Sequence, residues 1–116
     1  MKDSVAMMNF IRSMSNESDL IAFSIGDFLP INKILGYQSA RFEDNHLIFE
    51  VNDDYRANVA RINMLVISST YSTQEQIYKC INDIKSHFNH ATDIYFATRQ
   101  DNQVDSLRVD LVLYGA

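Results

Sequence analysis

Residues 28–55 read "FLPINKILGYQSARFEDNHLIFEVNDDY", and two different structures can be drawn from them. In a hairpin, Tyr37, Ala40 and Phe42 precede an "EDNH" turn, and Leu47, Phe49 and Val51 then alternate with Ile48 and Glu50. Period-two alternation on both sides of a polar turn is what paired antiparallel strands need. In a helix, Pro30 occupies the first turn, where its missing N–H costs nothing, and Ile31, Ile34, Leu35, Gln38 and Phe42 form one stripe. The alternation over 41–51 is the cleaner of the two patterns and favours the hairpin locally. Both readings stay open on pattern alone.

The C-terminal side is easier to read. "RINMLVISST" (61–70) is rich in β-branched residues and reads as a central strand. Ser72 followed by Glu75 spells a capping box, in which each side chain satisfies an orphan amide. Behind it Ile77, Ile81, Ile84 and Phe88 recur at helical spacing, with Tyr78 and Cys80 flanking, so a helix is predicted over 73–88. "TDIYFAT" and "LRVDLVLY" follow as strands. In the second, Leu107, Val109, Leu111 and Leu113 alternate with Arg108 and Asp110, which predicts one face on a core and the other toward solvent or a partner. The helix is long enough to cross over between parallel strands, and the last strand then returns antiparallel.

On the N-terminal side, "DSVAMMNFIRSMS" places Val5, Met8 or Asn9, Ile11 or Arg12, and Ser15 at helical spacing, with Asp3 or Ser4 as cap. "DLIAFSIG" reads as a short buried strand between Asp19 and Gly26. The fold class is therefore α+β (α/β): a single domain over 1–116, a mixed sheet with helices packed on it, ending in a β-α-β-β unit.

Composition narrows the function. A length of 116 residues suits one domain, and 47% apolar residues suffice for a core. No apolar run approaches the roughly 20 residues that span a bilayer, and no signal peptide is read. The single cysteine, Cys80, allows no intramolecular disulfide and fits a reduced, cytoplasmic setting. A net charge of −5 with scattered Lys and Arg argues against nucleic acid as partner, since phosphate binding needs a basic stripe. A protein partner stays open, as does a basic surface as target.

No residue set demands catalysis. Gly26, Gly36 and Gly115 are too far apart for a phosphate-cradling loop. His87 and His90 have metal-ligand spacing, but neither Cys80 nor a nearby carboxylate completes a zinc site, and helix-terminal histidines meeting the dipole are the simpler account. His46 reads as an exposed polar residue, Cys80 as a small buried hydrophobe rather than a nucleophile, and Glu50, Asp53 and Asp54 as a solvated acidic loop. Met7, Met8 and Met14 read as core. Phe42, Phe49, Tyr55, Tyr71, Tyr78 and Tyr95 suit a pocket or a core equally. No catalytic residue, cofactor site or metal site is assigned.

The closing stretch "HATDIYFATRQDNQVDSLRVDLVLYGA" (90–116) resembles the end of the C-terminal domain of the bacterial tubulin homologue FtsZ. There an apolar strand leads through an acidic, polar loop to a strand of the form Leu/Val-Arg-Val-x-Val-x-x-x-Gly, matched here by Leu107 to Gly115. "MLVISS" is similar to a further strand of the family, with Ser68, Ser69 and Thr70 where the family has glycines, and "IRSMSNESDLIAFSIG" (11–26) is similar to its helix, loop and strand. The middle fits less well. The resemblance implies a helix over 30–44, a fold and a protein partner, and no activity: the family's GTP-binding domain is absent, and its catalytic loop would fall at Val5, Met7 and Phe10, none of them a carboxylate or amide.

Three functions follow. The first is a non-enzymatic protein-interaction domain, FtsZ-C-terminal-like, binding a cytoskeletal or cell-division polymer through Asp101, Asp105, Arg108 and Asp110. The second is a small acidic dimeric chaperone of a secretion system, which a hairpin over 37–51 would suit. The third is a small-ligand-binding α+β module with an aromatic pocket. The first is the reading adopted, and a helix or hairpin at 28–60 is expected to separate it from the second. A homodimer, and whether the chain is a whole protein or an excised domain, are left open.

Overall fold

The computed structural model describes residues 4–16, 18–19, 21–44, 46–48, 58–70, 73–88 and 92–116. Over the ambiguous stretch the chain is a hairpin. Strand β1 (Ile34–Glu43) pairs antiparallel with β2 (His46–Ile48), with Glu43 opposite His46. Asp44 turns the corner at φ 51°, a left-handed conformation that Asp tolerates better than most residues. The helix that the resemblance implies over 30–44 is therefore absent. Its physical alternative wins because β1 is covered on both sides: Ala40 and Phe42 pack toward one core, Tyr37 toward another.

The remaining strands are β3 (Val59–Ser68), β4 (Asp93–Gln100) and β5 (Arg108–Gly115). The sheet has five strands in the order β2-β1-β5-β3-β4. As expected, β3 and β4 are parallel, with Arg61 level with Asp93 and Ser68 with Gln100. Strand β5 does run antiparallel, but it never pairs with β4. It inserts between β1 and β3, placing Ser39 opposite Asp110 on one side and Met64 opposite Leu111 on the other.

Helix α1 (Ser4–Met14) and helix α2 (Gln74–His87) cover opposite faces of this sheet. Cys80 and Ile84 of α2 pack with Ile62, Met64, Val66, Val109, Leu111 and Leu113. Met7, Ile11 and Met14 of α1 pack with Leu65, Ile67, Ala97, Val112 and Tyr114. The expected one-sided alternation of β5 is thus corrected in part: Val112 and Tyr114 are covered and Asp110 is buried, while Arg108 is exposed as expected. Each fully buried Ile, Leu, Met or Val in this layer stabilises the fold by roughly 1.5–3 kcal/mol.

Helix α1 buries Met7, Ile11 and Met14, a stripe offset from the expected one, so that Val5 is 70% exposed. Asp3 lies outside the described residues and Ser4 is the first helical residue. The cap of α2 is also displaced by one position. Thr73 is the N-cap, its hydroxyl accepting from Gln76 N at 3.2 Å while Gln76 Oε1 accepts from Thr73 N at 2.9 Å. Ser72 lies outside the described residues.

"DLIAFSIG" is not a strand. Ile21 and Phe23 make isolated bridges to Thr98 and Ser15, and Ile25–Phe28 then form a 3-10 turn, followed by a second at Ile31–Lys33. Between the two turns the Leu29–Pro30 peptide is cis. Phe23 and Phe28 are buried edge to face at 5.2 Å, but Ile21, Ile25 and Leu29 are 43%, 46% and 55% exposed. The segment lies over the α1-side face beside β4, anchored by two phenylalanines rather than by a ladder.

Candidate functional site

Two polar residues interrupt the apolar run of β3 at alternate positions, Arg61 and Asn63, and both face the α1 side together with Tyr95 of β4. With Ile21, Asp27 and Leu29 of the overlying segment they line a cleft of ≈ 640 Å³, a volume in the range of ligand and peptide sites. Sequence reading singled out only Tyr95 among these. The usable signal was the polar pair spaced two apart in a strand whose other residues are apolar.

The cleft floor is held by side chains that clamp three successive carbonyls. Asn63, 1% exposed, donates its Nδ2 to Asp27 O at 2.8 Å. Tyr114 donates its hydroxyl to Phe28 O at 2.8 Å. Arg61 donates Nη2 to Leu29 O at 3.2 Å, with its guanidinium carbon 3.8 Å from the Tyr114 ring centroid and 6.0 Å from that of Tyr95. A cation over an aromatic face is attracted by the ring quadrupole, so Arg61 is fixed on both sides. Burial pushes the Tyr114 phenol above its ordinary range, against the opposing pull of Arg61. Asn63 Nδ2, Tyr114 Oη and Arg61 Nη2 each donate to backbone, while Arg61 Nε is buried without a hydrogen-bond partner.

The proposed partner-binding residues lie at the opposite end of β3 and β4. Asp101 organises the β4–β5 loop: its amide donates to Ser68 O at 2.8 Å, and its Oδ1 accepts from Gln103 N at 2.9 Å. Asp105 is exposed in the same loop. Arg108 is exposed and its Nε sits 3.3 Å from Asp110 Oδ1. Asp110 is 4% exposed and accepts from Ser39 Oγ at 2.6 Å, so it supports Arg108 and β1 from within the sheet rather than facing solvent.

Other candidates separate. Cys80 is fully buried, and burial, with help from Asp83, pushes its thiol up to about 11. His46 Nδ1 and His87 Nε2 flank Asp83 at 3.2 and 3.8 Å, and His90, Glu50, Asp53 and Asp54 lie outside the described residues. Among the described residues no three of His, Cys, Asp and Glu group to hold a metal ion. Of the described aromatics, Phe42 packs in the α2-side core, Tyr78 is on α2 and Tyr95 lines the cleft; Phe49, Tyr55 and Tyr71 lie outside the described residues. No described helix is long and apolar enough to cross a membrane.

No protein-family model matches the chain, and no curated protein does. Solved structures do. One is an FtsZ dimer from M. jannaschii, at 14% identity and a TM-score of 0.61, covering 93% of this chain and 35% of that one. Another is CetZ from Methanosaeta thermophila, at 17% identity and a TM-score of 0.54, covering 96% of this chain and 35% of that one. The hairpin at 34–48 thus coexists with the likeness to FtsZ and does not exclude it, contrary to the expectation drawn from sequence. Nearly the whole chain therefore shares its fold with about a third of two tubulin-like proteins.

Proposed function

We propose that this chain is a non-enzymatic protein–protein interaction domain whose counterpart in FtsZ is the C-terminal domain. The observation that carries the reading is the fold likeness over 93% of the chain to a protein solved as a dimer. The tail pattern from Leu107 to Gly115 supports assigning the matched third to the C-terminal part. In this reading the chain works in the cytoplasm and binds a cytoskeletal or cell-division polymer. The β4–β5 loop presents Asp101 and Asp105, with Arg108 beside them and Asp110 holding Arg108 in place.

The test is chemical cross-linking in cell extract, followed by co-sedimentation with whatever filament-forming protein is recovered. Reversing Asp105 and Arg108 should weaken co-sedimentation while leaving the fold intact, because both side chains are exposed. If the unaltered chain captures no protein at all, the reading fails.

A second reading has one observation in its favour. The cleft at Arg61, Asn63 and Tyr95 has the volume of a small-ligand site, as a ligand-binding α+β module requires. Thermal-shift screening against metabolite-sized compounds separates the two: stabilisation abolished by Tyr95→Ala would favour it.

A further inference from the structure

Strand β4 is the sheet edge beside the cleft, and the phase of its backbone can be read from two hydrogen bonds. Asp101 N donates to Ser68 O at 2.8 Å, which continues the β3–β4 ladder and turns the odd-numbered amides of β4 toward β3. Thr98 N donates the other way, to Ile21 O at 2.9 Å. Alternation along a strand then points the N–H and C=O groups of Ile94 and Phe96 outward as well. Among the described residues no backbone group meets them, and Ile94 and Phe96 line the cleft. The segment at Ile21 shows that this edge accepts an antiparallel backbone, and it covers only the far end of the strand.

The rim supplies both chemistries of a peptide site. Ile21, Leu29 and Tyr95 are large apolar side chains 43%, 55% and 55% exposed. The charges facing outward are carboxylates. Asp93 is exposed at the start of β4, and exposed Asp27 uses Oδ2 for Ser24 N and Oγ, leaving Oδ1. Arg61 offers little to an incoming anion, being held between Leu29 O and Tyr114. A chain of net charge −5 also steers cationic partners toward it.

We propose that the β4 edge takes a short extended segment of a protein partner as an added strand, with apolar residues against Ile21, Leu29 and Tyr95 and Lys or Arg against Asp27 and Asp93. The open stretch between Asp93 and the Ile21 bridge accommodates about four or five residues at ~3.3 Å each. A second copy of this chain is the poorer occupant, because two chains of net charge −5 repel each other. The inference rests on reading the chain as a protein-interaction domain, and adds to the loop of Asp101, Asp105 and Arg108 a second surface and its kind of partner.

The probe is the synthetic peptide Ac-Lys-Thr-Val-Thr-Lys-Thr-NH2, whose alternate residues bring Lys and Val to one face, titrated into the full ¹⁵N-labelled chain. Hydrogen exchange at Ile94 and Phe96 should slow by about tenfold or more at saturation, as for amides taken into a ladder. The combined change Asp27→Asn and Asp93→Asn should weaken binding about three- to tenfold at low salt. Glutamate in place of lysine, or N-methylation of alternate peptide nitrogens, should abolish it. No slowing at Ile94 and Phe96 with millimolar peptide would overturn the proposal, as would equal binding of the glutamate peptide. So would a concentration-dependent dimer that itself protects these two amides. A partner captured equally well by the Asp27→Asn, Asp93→Asn chain would sink this surface and leave the interaction reading standing.

Discussion

Asp83 of α2 reaches across to the backbone of β2, where its Oδ2 accepts from Leu47 N at 2.7 Å. That bond, with His46 Nδ1 at 3.2 Å from the other oxygen, anchors the short outer strand to the helix layer. Asp83→Ala leaves the Leu47 amide without its acceptor and should cost about 1–3 kcal/mol. Asp83→Asn, which keeps an oxygen in place, should recover a good part of it. Urea denaturation of the two variants checks this, and an alanine variant as stable as the parent would refute it.

Arg99 and Asp19 form a two-pronged pair, Nε and Nη2 each 2.9 Å from a carboxylate oxygen, while Nη1 donates to Ser13 O at 2.8 Å. The Asp19 side chain is 4% exposed, so Arg99→Ala strands a buried charge and should cost about 3–5 kcal/mol. Replacing both partners with apolar residues, Arg99→Met with Asp19→Leu, should be less harmful than the two single changes added together. A double-mutant cycle measures the coupling; strict additivity would show that the pair contributes nothing.

Burial, with a smaller push from Asp83, holds the Cys80 thiol at about 11 against an ordinary 9.0. The folded state therefore favours the protonated thiol. Its contribution is fully present below pH ~9 and disappears as the pH climbs through about 11, on the order of 2 kcal/mol in all. The stability of the parent should fall over that window more steeply than that of Cys80→Ala. Native Cys80 should also resist iodoacetamide at pH 8 until the chain is unfolded, so rapid labelling of the native protein would contradict its burial.

Tyr114→Phe removes the hydroxyl that Phe28 O accepts and should cost about 1–2 kcal/mol. The chain has 6 tyrosines, and Tyr114 is displaced upward by burial. Its stabilising effect is likewise present below the ordinary phenol range and lost as the pH rises beyond it. Alkaline titration at 295 nm should show a late-titrating phenol that is missing from the variant. A variant that instead lacks a phenol of the ordinary range would place Tyr114 in solvent.

The elements built on local pattern were legible: α2, the strands β3 to β5 and the 41–48 corner follow directly from periodicity and turn chemistry. The errors have physical causes. "DLIAFSIG" looks like a strand because Ile21, Phe23 and Ile25 alternate, but only Phe23 of the three is buried, and the Asp19–Arg99 pair and one backbone bond at Ile21 hold the rest. The stripe of α1 slid because Met7 and Met14, flexible gap-fillers, took the buried places that Val5 appeared to claim. Asp110 looked solvent-facing because its burial depends on Ser39, 71 residues away, and on the second core. The cleft was invisible for the same reason. Arg61, Asn63 and Tyr114 become a clamp only once 27–29 lies over the sheet.

The place of β5 has a consequence for biosynthesis. Residues 108–115 occupy the middle of the sheet, yet a ribosome delivers them after both strands they join. Until then the chain exists as two unjoined halves, β1 with β2 and β3 with α2 and β4, each presenting an unpaired apolar edge. Closure is thus a late event that follows translation of the tail, and the interval before it is when the nascent protein is most exposed to self-association and proteolysis. A chain stopped at residue 107 should stay protease-sensitive throughout, however complete its other strands.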